Sequence, residues 1–176
     1  MTVNLQWPDG FRTVYDQAKR NYERGAHHPD QVFDASAKAF LATMGCSPRE
    51  LFDLVEDDCR FGEPDFATSF ELTEMRRNYF LNVQKGVATA RRVDMDRLPA
   101  KSAAIEGVRW LPRIIEKAKA KLRGEMPEEL MYCCGGDRDF LRSAHMTAGE
   151  FLRLVQDSAE DTQKIITTVI SAMGRG

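Results

Sequence analysis

The sequence predicts an all-α protein, a compact helical domain built from two related, degenerate helical repeats. Three observations predict it. Apolar residues recur at helical spacing, and no segment sustains the alternation of a strand between turn signals. Serine, threonine and aspartate precede several of these runs as helix starts, and glycines follow them as stops. Finally, two stretches one hundred residues apart share one pattern.

In the second copy Leu111, Ile114, Ile115, Ala118 and Leu122 fall on one helical stripe, and Phe11, Val14, Tyr15, Ala18 and Tyr22 hold the same places in the first. FLATMGCSPRELFDLVEDD (40–58) lies over FLRSAHMTAGEFLRLVQDS (140–158) without a gap. Phe40, Leu41, Glu50, Leu54, Val55 and Asp57 recur as Phe140, Leu141, Glu150, Leu154, Val155 and Asp157. The reading is one globular domain, 1–176, with copies at about 9–86 and 108–174 and a connector at about 87–107. The copies are expected to pack through their stripes with approximate two-fold symmetry.

Element by element, Trp7-Pro8-Asp9-Gly10 is a turn, and an amphipathic helix follows from about Phe11 to Arg24. His27-His28-Pro29-Asp30 reads as a solvated loop, since neighbouring histidines point apart and seldom share one metal ion. A second helix runs from Val32 or Asp34 to Met44 and stops at Gly45. Ser47-Pro48-Arg49-Glu50 is the clearest local signal: a serine N-cap, proline in the first turn and glutamate to close a capping box. A fourth helix is expected to bury Leu72, Met75, Tyr79 and Val83 before Gly86.

The second copy repeats the plan. A helix is expected from Val108 to Arg123, a loop through Gly124 and Pro127, and a short helix from Asp137 to Ala144. Thr147-Ala148-Gly149-Glu150 is a second capping-box string, and Ser158 with Asp161 opens the last helix. Its stripe is Ile166, Val169, Ile170 and Met173.

Composition bounds the function. With 43% apolar and 30% charged residues the chain reads as a soluble globular protein rather than a disordered one. The apolar runs are short for a membrane span, and the opening MTVNLQWPDGF lacks the character of a secretory signal, so a cytoplasmic setting is expected. Cys46, Cys59, Cys133 and Cys134 are expected to be free thiols. A formal net charge of -2 argues against bulk nucleic-acid affinity. The charge is uneven: 53–74 is acidic and 89–124 is basic, two zones suited to meet within one molecule or across a dimer.

The strings WLPRIIEKAKAKLRG, MYCCGGDRDFL and Ser158-Ala159-Glu160-Asp161 give the second copy a resemblance to the bacterial family named domain of unknown function 5069. The resemblance covers about Val108 to Met173, with the first copy a diverged member of the pattern. It implies a helical fold and no assigned activity or site residues.

Chemistry is best sought in Cys133-Cys134-Gly135-Gly136-Asp137-Arg138, with His145 one short helix downstream. These residues form a candidate ligand or thiol site. Cys134 near a helix N-terminus and Arg138 suits a reactive thiol, with His145 as its base if the helix folds it back. The structural alternative makes both cysteines small buried hydrophobes and Asp137 a helix cap. The spacing is not that of a structural zinc site, and neither a metal nor a cofactor is expected. Arg109, Arg113, Lys117 and Lys121 form a candidate anion-binding face on the fifth helix, beside a plain reading as solvated charge favourable at a helix C-terminal end. No catalytic set is complete. The sequence therefore favours a non-enzymatic module that binds a protein partner or itself. A small enzyme or a ligand- or metal-binding protein with a site near the Cys-Cys-Gly-Gly-Asp-Arg loop is the alternative, and RNA or anion binding through the fifth helix the next.

Overall fold

The computed structural model describes residues 5–159 and 161–174. Met1 to Asn4, and Glu160 of the Ser158-to-Asp161 string, lie outside the described residues. Among the described residues the protein is all-α apart from one very short strand pair. The chain divides into two compact units, Met1–Ala88 and Thr89–Gly176, so most of the segment read as a connector belongs to the second unit.

The first unit contains α1 (Asp9–Glu23), α2 (Pro29–Val32), α3 (Ala35–Ala42), α4 (Pro48–Phe61) and α5 (Phe66–Asn82). Phe11, Val14, Tyr15 and Ala18 of α1 are buried in one cluster with Phe40, Leu41, Leu51, Phe52 and Val55. The stripe of α1 is thus covered by α2 and α4 of its own unit. The start of α4 is fixed by its capping box: Glu50 N donates to Ser47 Oγ at 3.2 Å and Ser47 N donates to Glu50 Oε2 at 2.9 Å. A cap of this kind contributes about 1 kcal/mol.

Two features of this unit depart from the expected pattern. His28 is a cap rather than a loop residue, accepting at Nδ1 from Asp30 N to start the short α2. The buried face of α5 runs through Ser69, Leu72, Thr73, Met75, Arg76 and Phe80, whereas Val83 is 57% exposed and Tyr79 only half-buried. Arg76 explains the shift: its Nε donates to Gly45 O at 2.8 Å and Nη1 to Gln84 Oε1 at 2.7 Å, so a guanidinium occupies the inward face. A polar group satisfied in this way is invisible to hydrophobic periodicity. Gly45 itself sits at φ 62°, and a Cβ there would lie 2.6 Å from the Phe80 ring.

The second unit contains β1 (Ala104–Ile105), β2 (Val108–Arg109), α6 (Leu111–Arg123), α7 (Gly135–Ser143), α8 (Ala148–Asp157) and α9 (Thr162–Met173). β1 and β2 pair antiparallel around the positive-φ pair Glu106 and Gly107, which takes Val108 and Arg109 out of the expected fifth helix. Trp110 then occupies a left-handed conformation, and α6 begins at Leu111. α6 lays its stripe on α8. Phe151, Leu152 and Val155 of α8 are buried, as are Ile165, Ile166 and Val169 of α9, whereas Ile170 is exposed.

Some helix ends of the two units are built alike, although the first unit has the short α2 before α3 and the second opens with a strand pair. Thr147 and Glu150 close a capping box as Ser47 and Glu50 do. Cys46 N donates to Leu41 O at 3.1 Å across left-handed Gly45, and Met146 N donates to Leu141 O at 3.0 Å across left-handed His145. This is the Schellman closure of a helix C-terminus. No helix among the described residues is long and apolar enough to cross a membrane.

Candidate functional site

Lys117 is brought inward by the burial of its helix. Leu111, Ile114, Ile115, Ala118, Ala120 and Leu122 of α6 are buried, and Lys117 and Lys121 lie on the same covered surface. A lysine so enclosed needs an anion, because an unpaired buried ammonium costs several kcal/mol. Asp137, fully buried in the first turn of α7, supplies it: Lys117 Nζ donates to Asp137 Oδ2 at 2.5 Å. Lys117 is 2% exposed and Asp137 0%.

The carboxylate is held from two further sides. Trp110 Nε1 donates to Oδ1 at 2.9 Å, and the backbone amide of Cys133 donates to Oδ2 at 2.9 Å. The left-handed turn at Trp110 sets its ring beside Gly136, where a Cβ would meet the indole at 2.5 Å. Gly136 is therefore required by close approach, and the glycine pair does more than make a turn.

The same ammonium also donates to Cys134 Sγ, at 3.1 Å. Cys134 is the N-cap residue of α7, but its side chain makes no cap hydrogen bond. In the first unit Asp34, one hundred residues earlier, does cap its helix, accepting from Ala37 N at 2.8 Å. The sulfur is thus directed to Lys117 rather than to its own helix. Cys134 is half-buried and Gly135 beside it is exposed, so the thiol lies at the edge of the buried pair.

Cys133 is a different kind of thiol. It is buried at φ 71°, its carbonyl accepts from Arg138 Nη1 at 2.8 Å, and burial pushes its pKa up to about 12 against the pull of Arg138. Cys46 is buried, and burial also raises the pKa of the half-buried Cys59.

The structure thus joins Cys134, Asp137 and Lys117, which the sequence had placed in two separate candidate groups. Arg138 stands beside them, holding the Cys133 carbonyl. Asp137 lies in the third position of α7 and carries the ion pair, so the expectation that it caps the helix gives way to Cys134 at that position. His145 does not fold back to the thiol. It is exposed beyond the opposite end of α7, whose nine residues correspond to about 14 Å of rise.

The expected basic face is likewise divided. Lys117 and Lys121 are buried, Arg113 Nη1 donates to Pro99 O at 2.7 Å, and Arg109 is exposed in β2. Other cations line a cavity of about 240 Å3 beside α6, and its carboxylates already meet three of them: Lys119 to Glu116 at 2.9 Å, Arg97 to Asp94 at 3.6 Å and Arg91 to Glu125 at 3.9 Å. Among the described residues no group of three or more His, Cys, Asp and Glu side chains is placed to hold a metal ion.

Lys117 is the residue that sequence reasoning misassigned. Its signal was its position between Ile114 and Lys121, within reach of the buried stripe; basic composition alone favoured a solvated face. No family model, no curated protein and no solved structure matches the chain. The fold and the site define an all-α protein with a buried lysine and aspartate pair beside a half-buried cysteine.

Proposed function

We propose that the second unit carries a nucleophilic thiol site, in which Cys134 forms covalent bonds with small electrophiles. One observation carries the reading: the ammonium of Lys117, nearly sealed from water, donates to the sulfur at 3.1 Å. Sulfur attacks as the thiolate, and a cation at hydrogen-bond distance in a water-poor setting stabilises negative charge there. Asp137 positions Lys117, and Trp110 with the Cys133 amide positions Asp137. Cys134 as a residue is half-buried, which suits a small reactant better than a large one. Such a thiol suits the reducing cytoplasmic setting expected from the sequence.

The test is competitive alkylation of the native protein with iodoacetamide, followed by peptide mapping. Cys134 is expected to be labelled first, ahead of Cys59, with Cys46 and Cys133 last. Labelling of Cys59 first, or no labelling of Cys134 until the protein unfolds, would overturn the proposal.

A second reading, a protein partner or a second copy, is favoured by the exposure of Phe61, Leu81, Val83 and Val87 in the first unit. Sedimentation of the wild-type protein beside F61E and V83E tests it; an oligomer lost in either variant supports it, and a monomer throughout speaks against self-association. We further infer that the units are copies of one helical ancestor and that the second is related to domain of unknown function 5069. The like helix ends at Gly45 and His145 support the first inference, and the strings around Trp110 and Cys134 the second.

A further inference from the structure

We infer that Cys134 and Lys117 are a site of oxidative cross-linking, joined by peroxide through a single bridging oxygen, Nζ–O–Sγ; this rests on the thiol reading above. Lys117 Nζ and Cys134 Sγ are already in contact at 3.1 Å, with no residue between them. A bridging oxygen closes that gap with less movement than a direct nitrogen–sulfur bond. The smaller movement matters because Lys117 is fixed by Asp137 and enclosed by α6.

The balance runs through two equivalents of hydrogen peroxide. In the first, Cys134 sulfur attacks one peroxide oxygen, the O–O bond breaks, and the products are a sulfenic acid and water. In the second, the deprotonated Lys117 amine attacks an oxygen of another peroxide, giving a hydroxylamine and a second water. The hydroxylamine oxygen then attacks the sulfenic sulfur, forming the O–S bond and releasing the sulfenic oxygen as a third water. Sulfur and nitrogen are oxidised, and both peroxides are reduced.

Counted from the Cys134 thiol and the Lys117 ammonium, one proton remains, and Asp137 Oδ2 at 2.5 Å is placed to keep it. Once Lys117 loses its charge, a fully buried carboxylate would stand without its cation, which the low-dielectric interior disfavours. The cluster therefore passes from a charged pair to neutral groups with no net charge left inside. This makes Asp137 a built-in proton acceptor for the reaction. The link would tie α6 covalently to the N-terminus of α7, and excess thiol would reverse it, returning amine, thiol and water.

Cys133 is the competing partner for Cys134, but its thiol is held protonated by burial, which disfavours a disulfide between the neighbours. The two products differ in mass: the oxygen bridge adds one oxygen and removes two hydrogens, whereas the disulfide only removes two hydrogens.

The experiment is hydrogen peroxide titration of the full chain under native conditions, then acid quench, alkylation of remaining thiols, intact mass and peptide mapping. Expected is a species heavier by one oxygen and lighter by two hydrogens, with loss of tryptic cleavage after Lys117, a peptide joining Lys117 to Cys134, and reversal by dithiothreitol. C134S, which leaves the Lys117 to Asp137 pair intact, should not form it. A disulfide of Cys133 with Cys134, or sulfenic or sulfinic Cys134 beside unmodified Lys117, would overturn the inference. A parallel iodoacetamide arm separates the two proposals. Rapid labelling of Cys134 without the link overturns the cross-link alone; failure of both labelling and link overturns the thiol reading as well.

Discussion

Removing Asp137 is the sharpest perturbation of the second unit. Asp137→Ala takes away the anion of a lysine that is 2% exposed and 2.5 Å distant, together with the acceptor for Trp110 Nε1 and the Cys133 amide. Breaking one side of a buried pair costs about 3–5 kcal/mol, because the remaining charge stays desolvated. Each orphaned donor adds about 1–3 kcal/mol unless water reaches it. A loss of at least about 4 kcal/mol is therefore expected, on the scale of a whole domain's stability. Lys117→Met alone is expected to cost about 3 kcal/mol, while the double variant K117M/D137A restores part of the loss by removing both charges. Urea denaturation followed by Trp110 fluorescence, in a background with Trp7 replaced by Phe, measures all three. A cost below about 1 kcal/mol for D137A, or strict additivity in the double variant, would refute the buried-pair argument.

Three further outcomes follow from individual residues. His145→Gly should stabilise the protein by about 1 kcal/mol, since it relieves a left-handed residue at φ 53°, and should leave Cys134 alkylation unchanged; a slowed thiol would make His145 its base after all. Cys133 has its folded pKa raised to about 12, so its contribution to stability is fully present below the unfolded thiol value and is lost as pH rises toward the folded one. From about pH 8.5 upward it should lower stability by about 1.4 kcal/mol per pH unit, and C133A should remove that part of the slope in alkaline urea melts. Ile115→Asp and Val155→Asp, both in the buried interior of the second unit, should abolish cooperative unfolding of that unit; retained cooperativity in calorimetry would place the buried face elsewhere.

The helices were legible because their signals are local. The capping boxes at Ser47 and Thr147 and the stripe from Leu111 to Leu122 depend only on neighbours along the chain, and the structure forms each of them. What escaped was non-local or polar. Arg76 turns inward because Gly45, thirty-one residues earlier, offers a carbonyl, and no window along α5 contains that information. The hairpin at Ala104 to Arg109 is too short to show alternation. The site was half legible: Cys134 and Asp137 stood out by composition, whereas Lys117, seventeen residues before the thiol, resembled every other cation of a basic helix. Its role depends on α6 being covered, and periodicity cannot say how wide the covered face is.

The measurement that bears most directly on the thiol site is the rate of Cys134 alkylation in the wild-type protein and in K117M, with near-ultraviolet circular dichroism confirming that both are folded. A charge-assisted hydrogen bond is worth about 1.5–3 kcal/mol, so loss of the ammonium should slow Cys134 by about tenfold or more while Cys59 is unaffected. Equal rates in the two folded proteins would contradict the assignment of Lys117 to the thiol.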